Sequence, residues 1–487
     1  MDTSIRVCLL TYLISCLVKL LTLNEKLYLS TDFEVHRNWL AITQSVPFRE
    51  WYTEARSPWT LDYPPFFAYF EFLLGLVARW IDPNIVDINA LGYNAYSLIA
   101  FQRLSVILIN DLVLIIGMYV MLPAKQRQAG LVLALFSSAL FMVDHIHFQY
   151  NGMLLGLLLL SVAFANDQKF YWSATAYMIL VYFKHIYLFA APVFFVYFLR
   201  HFVRDDARRF ILLVLVVVSV SAAAMAPIVV SGQLPALLQR LFPFGRGLVH
   251  AYWAPNIWSL YLTFDRLISK LIGVSANLQD GSGSPTAGIV GEISTLVLPN
   301  ISPRICFIMT VVAYLPVLFL IWKDRKKRVD FSVWVALGNA VSFAFGWHIH
   351  EKALLMVLLP LIASTMITGG ESRRWKSLVW MFSAMSCASQ LPLLPRPQET
   401  ALKWVLSLLG MHIDALWLKV DIDWKWTIFV FSGEIYRVVF HDVLLGSRLP
   451  FLPLMLTSTV NAIGFFWILG NLLVEVRNSL RSSIKRE

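Results

Sequence analysis

Charged side chains are scarce. The chain has 487 residues, of which 40 are Lys or Arg and 30 Asp or Glu, 14% in all, against roughly 25% in a soluble globular protein. That deficit excludes a soluble enzyme and a charge-solvated disordered scaffold. Cysteine is rarer still: Cys8, Cys16, Cys306 and Cys387 all fall inside apolar runs. No polar loop therefore offers a disulfide framework or a CxxC metal clamp. Internal repeats of the transporter type are also missing. The net charge of +10 does not imply a nucleic-acid partner, because the basic residues sit in short loops between apolar runs, where the positive-inside rule accounts for them.

What is abundant is apolar surface. At 58% hydrophobic, the chain holds material for on the order of 14 spans of about 20 residues each. Apolar runs cover 6–23, 98–122, 130–143, 152–165, 172–182, 186–199, 211–230, 304–322, 331–346, 353–368 and 377–394, with less clean runs at 401–418, 426–445 and 450–474. The first contains Lys19 and lacks a small-residue cleavage site behind it, so it reads as a retained signal anchor. The expected architecture is an all-α polytopic membrane protein. Residues 1–395 form a membrane module with long loops at 24–97 and 231–303, and 396–487 add C-terminal spans and a tail.

Alternate loops differ in charge. Lys125 and Arg127, Lys169, Arg200 to Arg209, Lys323 to Arg328 and Arg373 to Lys376 mark one side, which the positive-inside rule makes cytosolic. The tail, with Arg477, Arg481, Lys485 and Arg486, joins them if the span count is even. The opposite, lumenal or external loops are aromatic and polar. They hold the one glycosylation sequon, Asn300-Ile301-Ser302, with Pro303 behind it disfavouring occupancy. The run Gly281-Ser282-Gly283-Ser284-Pro285 reads as a flexible linker, and Phe66 to Trp80 as a helix along the membrane surface.

The lumenal loops also carry the chemistry. In Ser30-Thr31-Asp32-Phe33-Glu34, Thr31 and Glu34 have capping-box spacing. Asp32 then falls in a first helical turn, where the dipole keeps it ionised, as a general base requires. Helix-start duty alone is the alternative, and for Glu34 it is the preferred one. In Trp59-Thr60-Leu61-Asp62-Tyr63-Pro64-Pro65 the prolines present Asp62 from an extended turn, either as a ligand or as an ordinary turn residue.

Two segments, Asp144-His145-Ile146-His147 and His348-Ile349-His350-Glu351-Lys352, contain His-x-His pairs. On a helix such residues diverge, so a shared metal needs an irregular loop, and none is expected. Arg240 and Arg246 flank an aromatic turn with Gly245 and Gly247, which suits either a phosphate or interfacial snorkelling. Lys184-His185 is a weaker case of the same kind. Asp421-Ile422-Asp423 has the form of a DxD metal motif but lies on the cytosolic side and is read as accidental. Arg103 and Asp111, inside the second span, are read as packing charges.

Six segments in order, TDFEVHRNW, WTLDYPPFFA, DHIHFQYNG, FKHIYL, FPFGRGL and WHIHEKALL, spread over residues 31–355. Together they resemble the dolichyl-phosphate-glucose-dependent α-1,3-glucosyltransferases of the endoplasmic reticulum. Within that family, His250 to Asn256 and the Trp347-His348-Ile349-His350 form resemble the member that adds the second glucose to the lipid-linked oligosaccharide. The member that adds the first is the alternative, and a polytopic secondary transporter the alternative from another class.

The resemblance implies a GT-C fold with about 12 to 14 transmembrane helices, placed in the reticulum membrane with a lumenal site. It implies dolichyl phosphate β-glucose as donor, a glucosylated dolichyl-diphosphate oligosaccharide as acceptor, and inversion with neither cofactor nor metal. Asp32 matches the catalytic base. Glu34, Asp62, Tyr63, Asp144, His145, His147, His350 and Glu351 match the substrate site, and Arg246, Lys352 and Lys184 the donor phosphate.

Overall fold

The computed structural model describes residues 3–23, 29–204, 206–250, 253–274, 295–367, 372–446 and 448–482. The Gly281 to Pro285 linker, Ala251, Tyr252 and the tail residues Lys485 and Arg486 lie outside that description. Among the described residues the structure is helical without strands. In chain order the helices are α1 (Thr3–Leu20), α2 (Thr31–Ser45), α3 (Pro65–Ile81), α4 (Tyr96–Met121), α5 (Arg127–Leu135), α6 (Ser138–Phe141), α7 (Asn151–Asn166), α8 (Phe170–Phe183), α9 (Ala191–Phe198) and α10 (Ala207–Val230). There follow α11 (Leu234–Leu241), α12 (Ile257–Leu271), α13 (Pro303–Lys323), α14 (Phe331–Phe345), α15 (Leu355–Ile367), α16 (Arg373–Gln390), α17 (Thr400–Leu418), α18 (Trp424–Ile435), α19 (Asp442–Leu444) and α20 (Leu452–Ser482).

Seven helical stretches among the described residues are long and apolar enough to cross a membrane. An eighth results if Ala124–Leu135 and Ser138–Phe148, bent by 41° at a short break, count as one. The chain is a multi-pass membrane protein. Other apolar runs form helices shorter than a full span, such as Asn151–Asn166, Phe170–Phe183 and Phe331–Phe345. Polar segments interrupt them, and backbone of that kind is tolerated at membrane depth only where protein covers it.

Contacts divide the chain into two units: Met1–Phe136 with Leu140–Pro243, and Ser137–Ala139 with Phe244–Glu487. In the first, α4 and α7 approach at glycines. A Cβ on Gly117 would stand 2.4 Å from the Gly156 carbonyl oxygen, so only glycine permits this spacing. Two charged groups of these helices find buried partners: Lys19 Nζ lies 2.6 Å from Asp111 Oδ1, and Arg103 Nη1 donates to the His145 carbonyl at 2.6 Å. Arg103 and Asp111 thus hold neighbouring elements, as expected of packing charges.

The helix expected over Phe66 to Trp80 forms as α3. Pro65 opens it at the first helical position rather than standing ahead of it, because proline's missing N–H costs nothing there. One face, with Phe67, Ala68, Glu71, Gly75 and Ala78, is buried, while Leu73, Leu76, Val77 and Trp80 are exposed. That apolar outer face suits lipid contact.

In the second unit, Leu248, Val249, Trp253, Trp258, Leu262 and Cys306 form a core. Trp258 Nε1 donates to the Gly346 carbonyl at 2.9 Å. The helices after residue 395 pack inside this unit: Lys403 of α17 and Arg437 meet the buried Glu434 at 3.0 and 2.7 Å. Ser302 of the sequon caps α13, and Asn300 Oδ1 accepts the Thr295 N–H at 3.1 Å.

Candidate active site

Helix α2 begins at Ser30. Its hydroxyl accepts the Phe33 N–H at 3.2 Å and donates to the His147 carbonyl, so the same cap joins α2 to a distant segment. The capping box anticipated between Thr31 and Glu34 does not form, because Ser30 holds the cap and Thr31 is already helical. Glu34 turns instead to Arg37, 2.8 Å away, and accepts the Gly92 N–H at 3.2 Å. Arg37 is fully buried and donates to the carbonyls of Ile85 and Asp87. Asn38 and Trp39 hold the carbonyls of Trp59 and Thr60, each at 2.9 Å, which fixes the segment carrying Asp62 and Tyr63 against α2.

Asp32 therefore stands in the first turn of α2, at the positive end of the dipole, with its side chain 27% exposed. Its Oδ2 accepts the Gln149 amide, and His147 Nε2 lies 3.3 Å from the same oxygen. Both partners come from one irregular passage. Met142–Phe148 is a wide π-helical turn, a form found often at functional sites. Phe148 leaves it at φ 82°, in the left-handed region that non-glycine residues avoid, and Gln149 follows in extended backbone.

Beyond Gln149 the network continues. Asn151 Nδ2 donates to Gln149 Oε1 at 2.9 Å and to Asp144 Oδ1 at 2.8 Å, and Lys184 Nζ donates to Asn151 Oδ1 at 3.3 Å. The Lys184 ammonium lies 5.0 Å from the centre of the Tyr63 ring. Burial, joined by the charges of Asp32 and Asp62, pushes the Tyr63 phenol well up, so Tyr63 stays protonated beside Asp32. Asp62 in turn neighbours Arg240, which burial lowers and Asp62 raises. Arg240 is tied to the carbonyls of Glu54 and Leu61.

The second unit carries its own cationic turn. His348, at φ 51°, donates its N–H to the Leu248 carbonyl at 2.9 Å, and its Nδ1 lies 3.1 Å from the Gly247 carbonyl. Gly247 itself has φ 86°, so the residue beside Arg246 must be conformationally free. Burial pushes His348 below the usual histidine value; the Gly247 carbonyl opposes this and the Arg246 charge adds to it. The His250 and His350 rings pack with centroids 3.9 Å apart and planes tilted by 34°. Buried Glu351 opens the next turn, ahead of Lys352.

His250, His350 and Glu351 offer ligand atoms within 4.8 Å of one another, and among the described residues they are the group placed to hold a divalent ion. Tetrahedral zinc ligands stand roughly 3.4 Å apart, so the trio would have to close in. The grouping takes one histidine from the His-x-His pair, whose own rings are 5.9 Å apart.

The chain matches the family described as the ALG6, ALG8 glycosyltransferase family over residues 5–472. It belongs to that family. Relatives named dolichyl pyrophosphate Glc1Man9GlcNAc2 alpha-1,3-glucosyltransferase are similar along nearly the whole length. The protein of Arabidopsis thaliana is 42% identical, covering 90% of this chain and 92% of its own. That of Schizosaccharomyces pombe is 40% identical over 92% and 94%, and that of Mus musculus 37% over 94% of each. The crystal structure of ArnT from Cupriavidus metallidurans bound to undecaprenyl phosphate is more distant, with 13% identity, a TM-score of 0.42, and coverage of 97% of this chain and 77% of that one.

For this glycosyltransferase, sequence reasoning brought Asp32, Tyr63, His147 and Lys184 into view, and the first unit gathers them. Asp144 lies behind the Asn151 end of the Asp32 network, and His145 faces away from it. Asp144, 1% exposed, accepts from Asn110, Asn151 and the Gly152 N–H at the start of α7. His145 faces Asp111, 3.8 Å away, so the first His-x-His pair diverges as helical geometry requires. Arg240 belongs to the first unit and Arg246 to the second. The DxD pair is structural: Asp423 caps α18 and Asp421 pairs with Arg373. Gln149 and Asn151, which touch the central groups, were missed. The signal was present only as two side-chain amides in the same motif as the histidines.

Proposed function

We propose that this glycosyltransferase moves glucose from dolichyl phosphate β-glucose to the terminal glucose of dolichyl-diphosphate-linked Glc1Man9GlcNAc2, forming an α-1,3 linkage. The observation that carries the mechanism is Asp32: a part-exposed carboxylate at a helix N-terminus, steadied at one oxygen by Gln149 and His147. The relatives' names support the acceptor, since each specifies an oligosaccharide that already bears one glucose.

In this reading Asp32 takes the proton from the acceptor 3-hydroxyl as that oxygen attacks the glucose anomeric carbon. The bond from that carbon to the phosphate oxygen breaks, and its electron pair leaves with dolichyl phosphate. Attack from the opposite face converts β to α. The leaving group needs only that its charge be held, so positioning, a base and a cation suffice, and no metal or other cofactor is required. Lys184, within the Asp32 network, is the first unit's cation for that phosphate, while Arg246 and Lys352 keep the role the family resemblance gives them. The site is assigned to the lumenal face of the endoplasmic reticulum, in agreement with the loop charges.

The test is direct. Purified protein receives dolichyl phosphate glucose with an acceptor bearing no glucose or one glucose. Transfer to the second acceptor alone is the expected result. Transfer to the unglucosylated acceptor alone would reassign the chain to the sister reaction, and transfer to neither would remove the proposal.

A further inference from the structure

The hydrogen-bond chain from Lys184 to Asp32 has a direction that its ends impose. An ionised carboxylate only accepts and an ammonium only donates. At one end, Asp32 Oδ2 must meet the NH₂ of Gln149, which turns Gln149 Oε1 toward Asn151. At the other, Lys184 Nζ must meet Asn151 Oδ1 at 3.3 Å, which turns the Asn151 NH₂ back toward Gln149. The two N–H bonds of that NH₂ are then both used, one on Gln149 Oε1 at 2.9 Å and one on Asp144 Oδ1 at 2.8 Å. Reversing either amide would set two acceptors, or two donors, face to face.

The chain is also anchored. Asn151 begins α7 and is buried, and Gln149 is 4% exposed. Asp144 is held in turn by Asn110 Nδ2 at 2.9 Å and the Gly152 N–H at 2.7 Å, and Asn110 Nδ2 also reaches the Gln149 carbonyl at 3.0 Å. Both the backbone and the side chain of Gln149 are therefore fixed before any substrate arrives.

We propose that Gln149 is a positioning residue for the base: its amide, oriented by Asn151, fixes the Asp32 carboxylate and favours its ionised form. Asn151 in turn joins the base to the cation Lys184. This rests on the reading of Asp32 as the base. A donor aimed at the ionised carboxylate lowers the pH at which it loses its proton; the titratable groups that also face Asp32, His147 at 3.3 Å and Tyr63, are the same in wild type and in Gln149→Met. Removing that donor makes the base harder to ionise, so the acid limb of the kcat–pH profile moves to higher pH. Side chains that merely fill space leave the limb in place.

The experiment measures kcat and donor KM across pH for wild type, Asp32→Asn, Gln149→Met and Asn151→Asp in purified full-length protein. Gln149→Met keeps the side chain's length and removes its donor. The expected result is a kcat lower by about tenfold near neutral pH, partial recovery as pH rises, an acid limb displaced upward, and a donor KM within about twofold of wild type. In Asn151→Asp the new carboxylate accepts from Gln149, which turns Gln149 Oε1 toward Asp32, and the same displacement is expected. If Asn151→Asp fails to fold, because it sets a second carboxylate beside Asp144, the Gln149→Met profile decides alone. An unmoved acid limb in Gln149→Met overturns the proposal, whether kcat is reduced or not. Should Asp32→Asn turn over like wild type, the base reading itself fails. A dead Asp32→Asn with an unmoved Gln149→Met limb removes only the role of Gln149.

Discussion

His36 Nδ1 lies 2.7 Å from Glu71 Oε1, with both side chains buried, so a buried polar contact bolts the helix that carries Asp32 to α3. Leaving one member of such a buried pair without the other costs about 3–5 kcal/mol. Glu71→Ala is expected to lower the thermal unfolding temperature sharply in detergent, and Glu71→Gln, which keeps shape and an acceptor, to lower it much less. Burial raises the Glu71 carboxyl, and His36 opposes that shift. Its contribution to stability is therefore largest below the ordinary glutamate value and declines as pH rises toward the raised one. Melting curves should show Glu71→Gln flattening that decline; an unchanged slope would exclude Glu71 as its source.

Asp32→Asn is expected to reduce transfer by about a hundredfold to ten-thousandfold while donor binding persists. Glu34→Gln separates the neighbouring acid. Glu34 holds buried Arg37 and the Gly92 N–H, so losing its charge should cost stability, about 1–3 kcal/mol, with kcat kept. Comparable kcat losses in both variants would make Glu34 part of the chemistry.

Arg246→Lys tests the donor phosphate. Lysine keeps the charge but not the two-pronged donor geometry of guanidinium. If Arg246 grips a phosphate whose charge grows in the transition state, turnover should fall more than donor affinity. Steady-state kinetics against donor concentration read this out; wild-type constants would leave Arg246 as an interfacial anchor and the phosphate to Lys352 or Lys184.

Activity should survive EDTA. His250, His350 and Glu351 are near enough to make this a real test. Loss of transfer that a divalent cation restores would show that the trio loads a metal, and His350→Ala should then abolish the restoration.

Much of this was legible in the chain. Apolar length announced the membrane helices, and Asp32 announced itself because an acid in a first helical turn has a known electrostatic use. Pro64-Pro65 marked the start of α3 to within a residue. What stayed hidden depended on partners far away in sequence. Ser30 took the cap that Thr31 was expected to hold, because it also reaches His147, 117 residues on. Gln149 carries no charge and has no local pattern; only folding sets its amide on Asp32. Asp144 looked as available as Asp32, yet the start of α7 absorbs it.

Helix α3 couples an apolar outer face to the helix that carries Asp32. Leu73, Leu76, Val77 and Trp80 leave its outer side apolar and exposed, and from its inner face Glu71 holds α2, while Gln44 of α2 donates to the Phe72 carbonyl at 2.7 Å. Any displacement of α3 is therefore passed to α2, and with it to Asp32, through these two contacts.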